Sequence, residues 1–112
     1  MDEFDTPIFK KSYDLYKTFY SYKNGIPKHE RHAIYLKCEQ KMLDMIEGIV
    51  YASQVARPQK INILERASAD LSLLKILIRL MKDTEVIDNK KYAGLQESID
   101  DIGRQLGGWI RA

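Results

Sequence analysis

The residues best placed to do chemistry are Ser68, Ser72, Lys75, Arg79 and Lys82, which follow one another at alternating steps of four and three. On a helix that spacing gathers them on one face, polar at its start and basic toward its end. Within the same stretch only Asp83, four residues after Arg79, offers a carboxylate at helical-neighbour spacing to Lys75 or Arg79. Phosphate oxygens are the natural partner for such an array, with an affinity that falls steeply as salt rises. A solvated helix face is the alternative fate of the same charges, and the pattern alone leaves both open.

Other constellations are weaker. His29 and His32 form an H-x-x-H, with Glu30 and Cys38 as the nearest further donors. Cys38 falls in register with Met42 and Met45, so it reads as a small buried hydrophobe and not as a zinc ligand. Asp100 and Asp101 are adjacent, which points them about 100° apart on a helix and prevents them from sharing a proton. The sequence holds no inward Glu-x-x-His pair, phosphate-binding Gly-rich loop, nucleophile elbow or Cys/His nucleophile pair. The expectation is therefore binding without catalysis, with no metal, no cofactor and no small-molecule substrate.

Four helices must position these residues. Thr6 and Pro7 start the first, as N-cap and first helical residue, and Lys23-Asn24-Gly25 stops it after about Tyr22. Pro27 opens a second that should last to Ala56 or Arg57, where Pro58 disfavours further helix. A third covers about Gln59 to Asp83, and Asp88 caps a fourth that runs almost to the last residue. The last three carry an apolar seam at steps of three and four. The second has Tyr35, Cys38, Met42, Met45, Ile49, Ala52 and Ala56; the third has Leu64, Ala67, Leu71, Leu74, Ile78 and Met81. The fourth has Tyr92, Leu95, Ile99, Ile102, Leu106 and Trp109. Such seams, joined by short links, predict an all-α, antiparallel up-and-down four-helix bundle over residues 6–112. The acidic start, Met1-Asp2-Glu3-Phe4-Asp5, is expected to be disordered.

Composition sets the remaining bounds. A chain of 112 residues, 45% apolar and 30% charged, suffices for one self-supporting domain. The longest charge-free run, between Glu47 and Arg57, is far too short to span a membrane, and a lone cysteine excludes an internal disulfide. A cytoplasmic location with no membrane partner is the expectation. Net charge is only +2, but setting aside the first five residues leaves 18 basic against 13 acidic side chains. The charge is also segregated: residues 57–82 are rich in bases, and residues 83–101 carry six acids against Lys90 and Lys91.

Two helices are apolar beyond their seams, through Leu43, Ile46 and Val50 in the second and Leu73, Leu77 and Leu80 in the third. The surplus predicts either a wide core stripe or self-assembly. Gly103 and Gly107, four apart inside the fourth helix, each cost roughly 1 kcal/mol relative to alanine and so suggest close packing against a neighbour.

Three stretches carry a family resemblance: Ile26-Pro27-Lys28, Leu74-Lys75-Ile76-Leu77-Ile78-Arg79, and Ile102-Gly103-Arg104-Gln105-Leu106-Gly107-Gly108-Trp109-Ile110. Together they resemble the accessory variability determinant (Avd) family of diversity-generating retroelements, whose broader relatives are four-helix-bundle proteins encoded in 23S rRNA intervening sequences. The resemblance implies a homopentameric barrel that binds a reverse transcriptase and RNA or DNA, with no catalysis of its own. Lys75 and Arg79 match the family's basic pair on the third helix, and Arg104 matches the Gly-Arg of the fourth. Lys82 and Arg111 join them by their place in the pattern. Some members end in a basic tail, whereas this sequence stops at Ala112, so contacts made by such a tail are not expected. The alternative within the broader group is a protein-interaction module with another partner.

Overall fold

The computed structural model describes residues 6–112, so the acidic segment expected to be disordered, residues 1–5, lies outside the described residues. The elements are α1 (Pro7–Ser21), a single 3-10 turn (Lys23–Gly25), α2 (Lys28–Arg31), α3 (Ile34–Ala52), α4 (Gln59–Asp83) and α5 (Asn89–Arg111). Four long helices pack side by side in the order α1, α3, α4, α5, with α5 closing against α1. Among the described residues, α1 and α4 thus stand diagonally across the bundle. The 25 residues of α4 span about 37 Å, which accounts for most of the 42 Å long axis.

The seams face inward as their spacing requires. From Tyr35 to Ala52, from Leu64 to Met81 and from Leu95 to Leu106 every seam residue is buried, while Tyr92 and Trp109 are half-buried at the ends. On α1, Ile8, Leu15 and Phe19 supply the fourth side. Phe19 and Tyr35 stack with ring centres 4.3 Å apart and planes within 10°. The Tyr35 hydroxyl also donates to the Phe19 carbonyl at 2.8 Å. Burial, with the Glu39 carboxylate nearby, raises the Tyr35 pKa well above a phenol's ordinary value. Cys38 lies fully buried beside Met81, and burial pushes its thiol up to about 12. It is a core residue, as its register implied.

The ends of α1 and α5 obey the local signals: the Thr6 hydroxyl accepts from the Phe9 amide, and Asp88 accepts from the Lys91 amide at 2.8 Å. The second helix departs from expectation twice. It breaks between Arg31 and Ile34, where Ala33 leaves helical conformation at φ −125°, ψ −109°. Residues 28–33 contain no apolar side chain larger than alanine and Pro27 is exposed, so no apolar anchor holds this turn in register with the core. Helix α3 also ends at Ala52, short of Pro58, where the Ser53 hydroxyl turns back onto the Val50 carbonyl at 2.6 Å. Ala56, expected on the seam, lies outside the helix and exposed.

At the other end of α4, Glu85 takes a positive φ of 64°, and the Val86 amide reaches back to the Met81 carbonyl at 2.8 Å. This left-handed stop lets buried Ile87 turn the chain into α5.

Candidate nucleic-acid interface

The polar face of α4 meets α5 along a groove of about 570 Å³. Ser68, Ser72 and Lys75 line it from α4, and Asp100, Gly103, Arg104, Gly107 and Arg111 line it from α5. The α4 seam, pointing Leu71 and Leu74 inward, forces Ser68, Ser72 and Lys75 to the α5 side. The α5 seam does the same for its residues, because Gly103, Gly107 and Arg111 follow one another at steps of four.

Of the residues singled out by sequence, Lys75, Arg104, Arg111, Gly103 and Gly107 therefore come together in one groove. Arg79 and Lys82 do not line it. They continue the α4 face beyond the groove, where the Lys82 ammonium sits 5.1 Å from the Tyr92 ring centre. Leu73, Leu77 and Leu80 turn the other way, with Leu73 and Leu80 exposed and Leu77 half-buried.

The two glycines act through their small size at this groove. A side chain on Gly107 would come within 3.2 Å of the Arg111 guanidinium, so the bare backbone makes room for Arg111 to lie across it. At Gly103 a Cβ would meet only the Leu71 side chain, at 3.6 Å. Within the protomer, the glycine that faces a neighbouring helix's backbone is Gly48, set against Ala67 and Ile63 of α4.

Sequence reasoning found Asp83 beside Arg79 but missed Asp100 and Asp101, the acids that face Lys75 and Arg104. Lys75 pairs with Asp100 of α5 at 2.8 Å, and Arg104 with Asp101 at 3.1 Å. Arg79 and Lys82 both approach Asp83 at 3.8 Å. Asp100 lies 25 residues from Lys75, so no pattern within one helix reveals the pair. As adjacency predicted, the two aspartates diverge: Asp100 turns to α4, and Asp101 turns to Lys11 of α1 at 2.6 Å. The hydrogen bond from Lys11, supported by Arg104, holds the Asp101 carboxyl below the usual carboxylate range.

These pairs do not block an anion. Lys75 and Asp100 are each about half exposed, and pairs of that kind contribute roughly 0.2–1 kcal/mol and weaken with salt. The groove itself carries three cations against one carboxylate, together with the hydroxyls of Ser68 and Ser72. Guanidinium forks, an ammonium and small polar donors are groups of the kind that contact phosphate, and here they flank a floor lined by Gly103 and Gly107.

Among the described residues no group of three or more His, Cys, Asp or Glu side chains could hold a metal ion. His29 is exposed and lies 3.0 Å from the Glu30 carboxylate. No helix among the described residues is long and apolar enough to cross a membrane.

A model of the bAvd-like family matches residues 7–112, nearly the whole chain. No curated protein matches the sequence.

Proposed function

The chain belongs to the bAvd-like family, and from that premise we propose that it is a non-catalytic accessory protein of a diversity-generating retroelement. In this reading it binds the reverse transcriptase and its template RNA or cDNA, and the polymerase performs the mutagenic synthesis. The working form is a homo-oligomer, a pentamer in keeping with the family resemblance, that repeats the basic groove around its axis.

The observation that supports this reading most is the convergence of Lys75, Arg104 and Arg111 on one groove. Two successive helices, folded back on each other, bring these separated residues together, so the cluster exists only in the fold. Phosphates are bound there, with Arg79 and Lys82 extending the track along α4. Repetition by symmetry raises the local density of such grooves and so the avidity for a continuous backbone.

The test is functional. Adding the protein to purified reverse transcriptase and template RNA should raise the yield of cDNA, and the Arg104→Glu/Arg111→Glu protein should not. Equal stimulation by both proteins would remove the groove from the mechanism. A second reading, a protein-interaction module of the intervening-sequence type, draws on the acids already facing Lys75, Arg79 and Arg104. It predicts stable co-purification with a protein partner and no measurable affinity for RNA at physiological salt.

A further inference from the structure

Two apolar surfaces of this chain remain open. The first is a groove of about 700 Å³ between α1 and α3, walled by Tyr13, Tyr16 and Tyr20 on one side and Leu43, Ile46 and Val50 on the other. Tyr13, Tyr20 and Leu43 are each about half exposed. The second is a ridge on α4 formed by Leu73, Ile76 and Leu80, of which Ile76 is 66% exposed. Half-buried Leu77 forms its base.

The two surfaces match in length and form. Tyr13 to Tyr20, Leu43 to Val50 and Leu73 to Leu80 each cover two helical turns, about 10 Å. A row of side chains on one helix packing between the rows of two others is the ordinary way that helices associate in water. Charge agrees with an antiparallel fit. Lys10 stands three residues before Tyr13, Asp83 stands three residues after Leu80, and that register sets them opposite each other. Lys10 has no ion pair among the described residues, and Asp83 is held only at 3.8 Å by Arg79 and Lys82.

One molecule cannot satisfy both surfaces itself. A polar strip of α3, with Lys41, Asp44 and Glu47, separates them, and Lys41 is tied across to Asp70 of α4. We propose that the Leu73–Ile76–Leu80 ridge of one copy seats in the α1/α3 tyrosine groove of the next copy. The contact is heterologous, head to tail, so each protomer uses one ridge and one groove, the kind of contact from which a ring is built. This deepens the oligomeric part of the proposed function and rests on it. It also gives Tyr13, Tyr16 and Tyr20 a role, since their rings would bury large rigid area in the contact.

Mixing two crippled full-length proteins tests the arrangement. Leu43→Glu spoils only the groove, and Ile76→Glu spoils only the ridge; both positions are exposed, so the bundle tolerates the change, which circular dichroism checks. Mass measurements in solution should show an oligomer for the wild type and monomers for each variant alone. Their equimolar mixture should form a heterodimer and nothing larger, because one intact groove and one intact ridge remain. A variant that keeps the wild-type mass, or one that dimerises with itself, overturns the proposal. So does a mixture that stays monomeric, which would assign the surfaces to a different chain. A monomeric wild type also overturns it, while RNA binding measured on the same sample decides the α4/α5 groove separately.

Discussion

Two grooves run between helices of the same bundle, nearly equal in size and opposite in chemistry. The α4/α5 groove is lined by Lys75, Arg104, Arg111 and two serines, and the α1/α3 groove by Tyr13, Tyr16, Tyr20, Leu43, Ile46 and Val50. The difference lies in the positions that flank each seam. Where they are small or basic, the cleft suits an anion, and occupancy by a nucleic-acid backbone would respond to salt. Where they are aromatic or aliphatic, occupancy follows apolar area and is nearly indifferent to salt. In the proposed reading, one fold separates assembly from nucleic-acid contact by side-chain choice a single helical step away from the core.

The comparison predicts that changes beneath the tyrosine groove register as stability, while changes in the basic groove register as binding. Phe19→Ala should have the largest effect: it removes the ring stacked on Tyr35 and should cost about 3–5 kcal/mol, read from urea denaturation. Tyr35→Phe keeps the stack and leaves the Phe19 carbonyl accepting from the Tyr22 amide alone, so it should cost about 0.5–1.5 kcal/mol in the same measurement. On the other side, Asp100→Asn should shift stability by less than about 1 kcal/mol. It should also tighten RNA binding severalfold at low salt, since Lys75 no longer shares its charge. A loss of several kcal/mol there would show that the basic groove is a structural element and collapse the distinction.

The smallest effect concerns acid. Asp101 has a folded-state pKa below its unfolded value, because Lys11 and Arg104 favour the carboxylate. Its stabilisation is therefore present above the unfolded carboxylate pKa of about 3.9 and is lost as pH falls through the lower folded value. Lys11→Ala should flatten the stability profile in that acidic window, lowering stability slightly near pH 7 and leaving it unchanged at the acid end, below the folded-state pKa. An unchanged acid limb would show that this exposed pair contributes nothing to folding.

Much of this architecture was legible from residue spacing. The steps of three and four from Tyr35 to Ala52, Leu64 to Met81 and Leu95 to Leu106 named the buried residues, and Thr6 and Asp88 named two helix starts. The break at Ala33 and the early stop at Ala52 were not legible, because they arise where packing gives out while the local sequence still permits a helix. The basic face was legible as a face but not in its environment. Asp100 reaches Lys75 only through the register of α5 on α4, a tertiary quantity that no single-helix pattern contains. Arg104 and Arg111 entered the candidate site through resemblance and position in the pattern; the fold placed them against Lys75.

The most direct measurement is the salt dependence of template-RNA affinity for the wild type and for Lys75→Glu/Arg104→Glu/Arg111→Glu. For the wild type the logarithm of affinity should fall linearly with the logarithm of salt concentration. The variant should bind far more weakly, with a slope shallower by about one for each cation removed. Equal affinity and equal slope for the two proteins would contradict the account, because the cations that the fold gathers between α4 and α5 would then touch no phosphate.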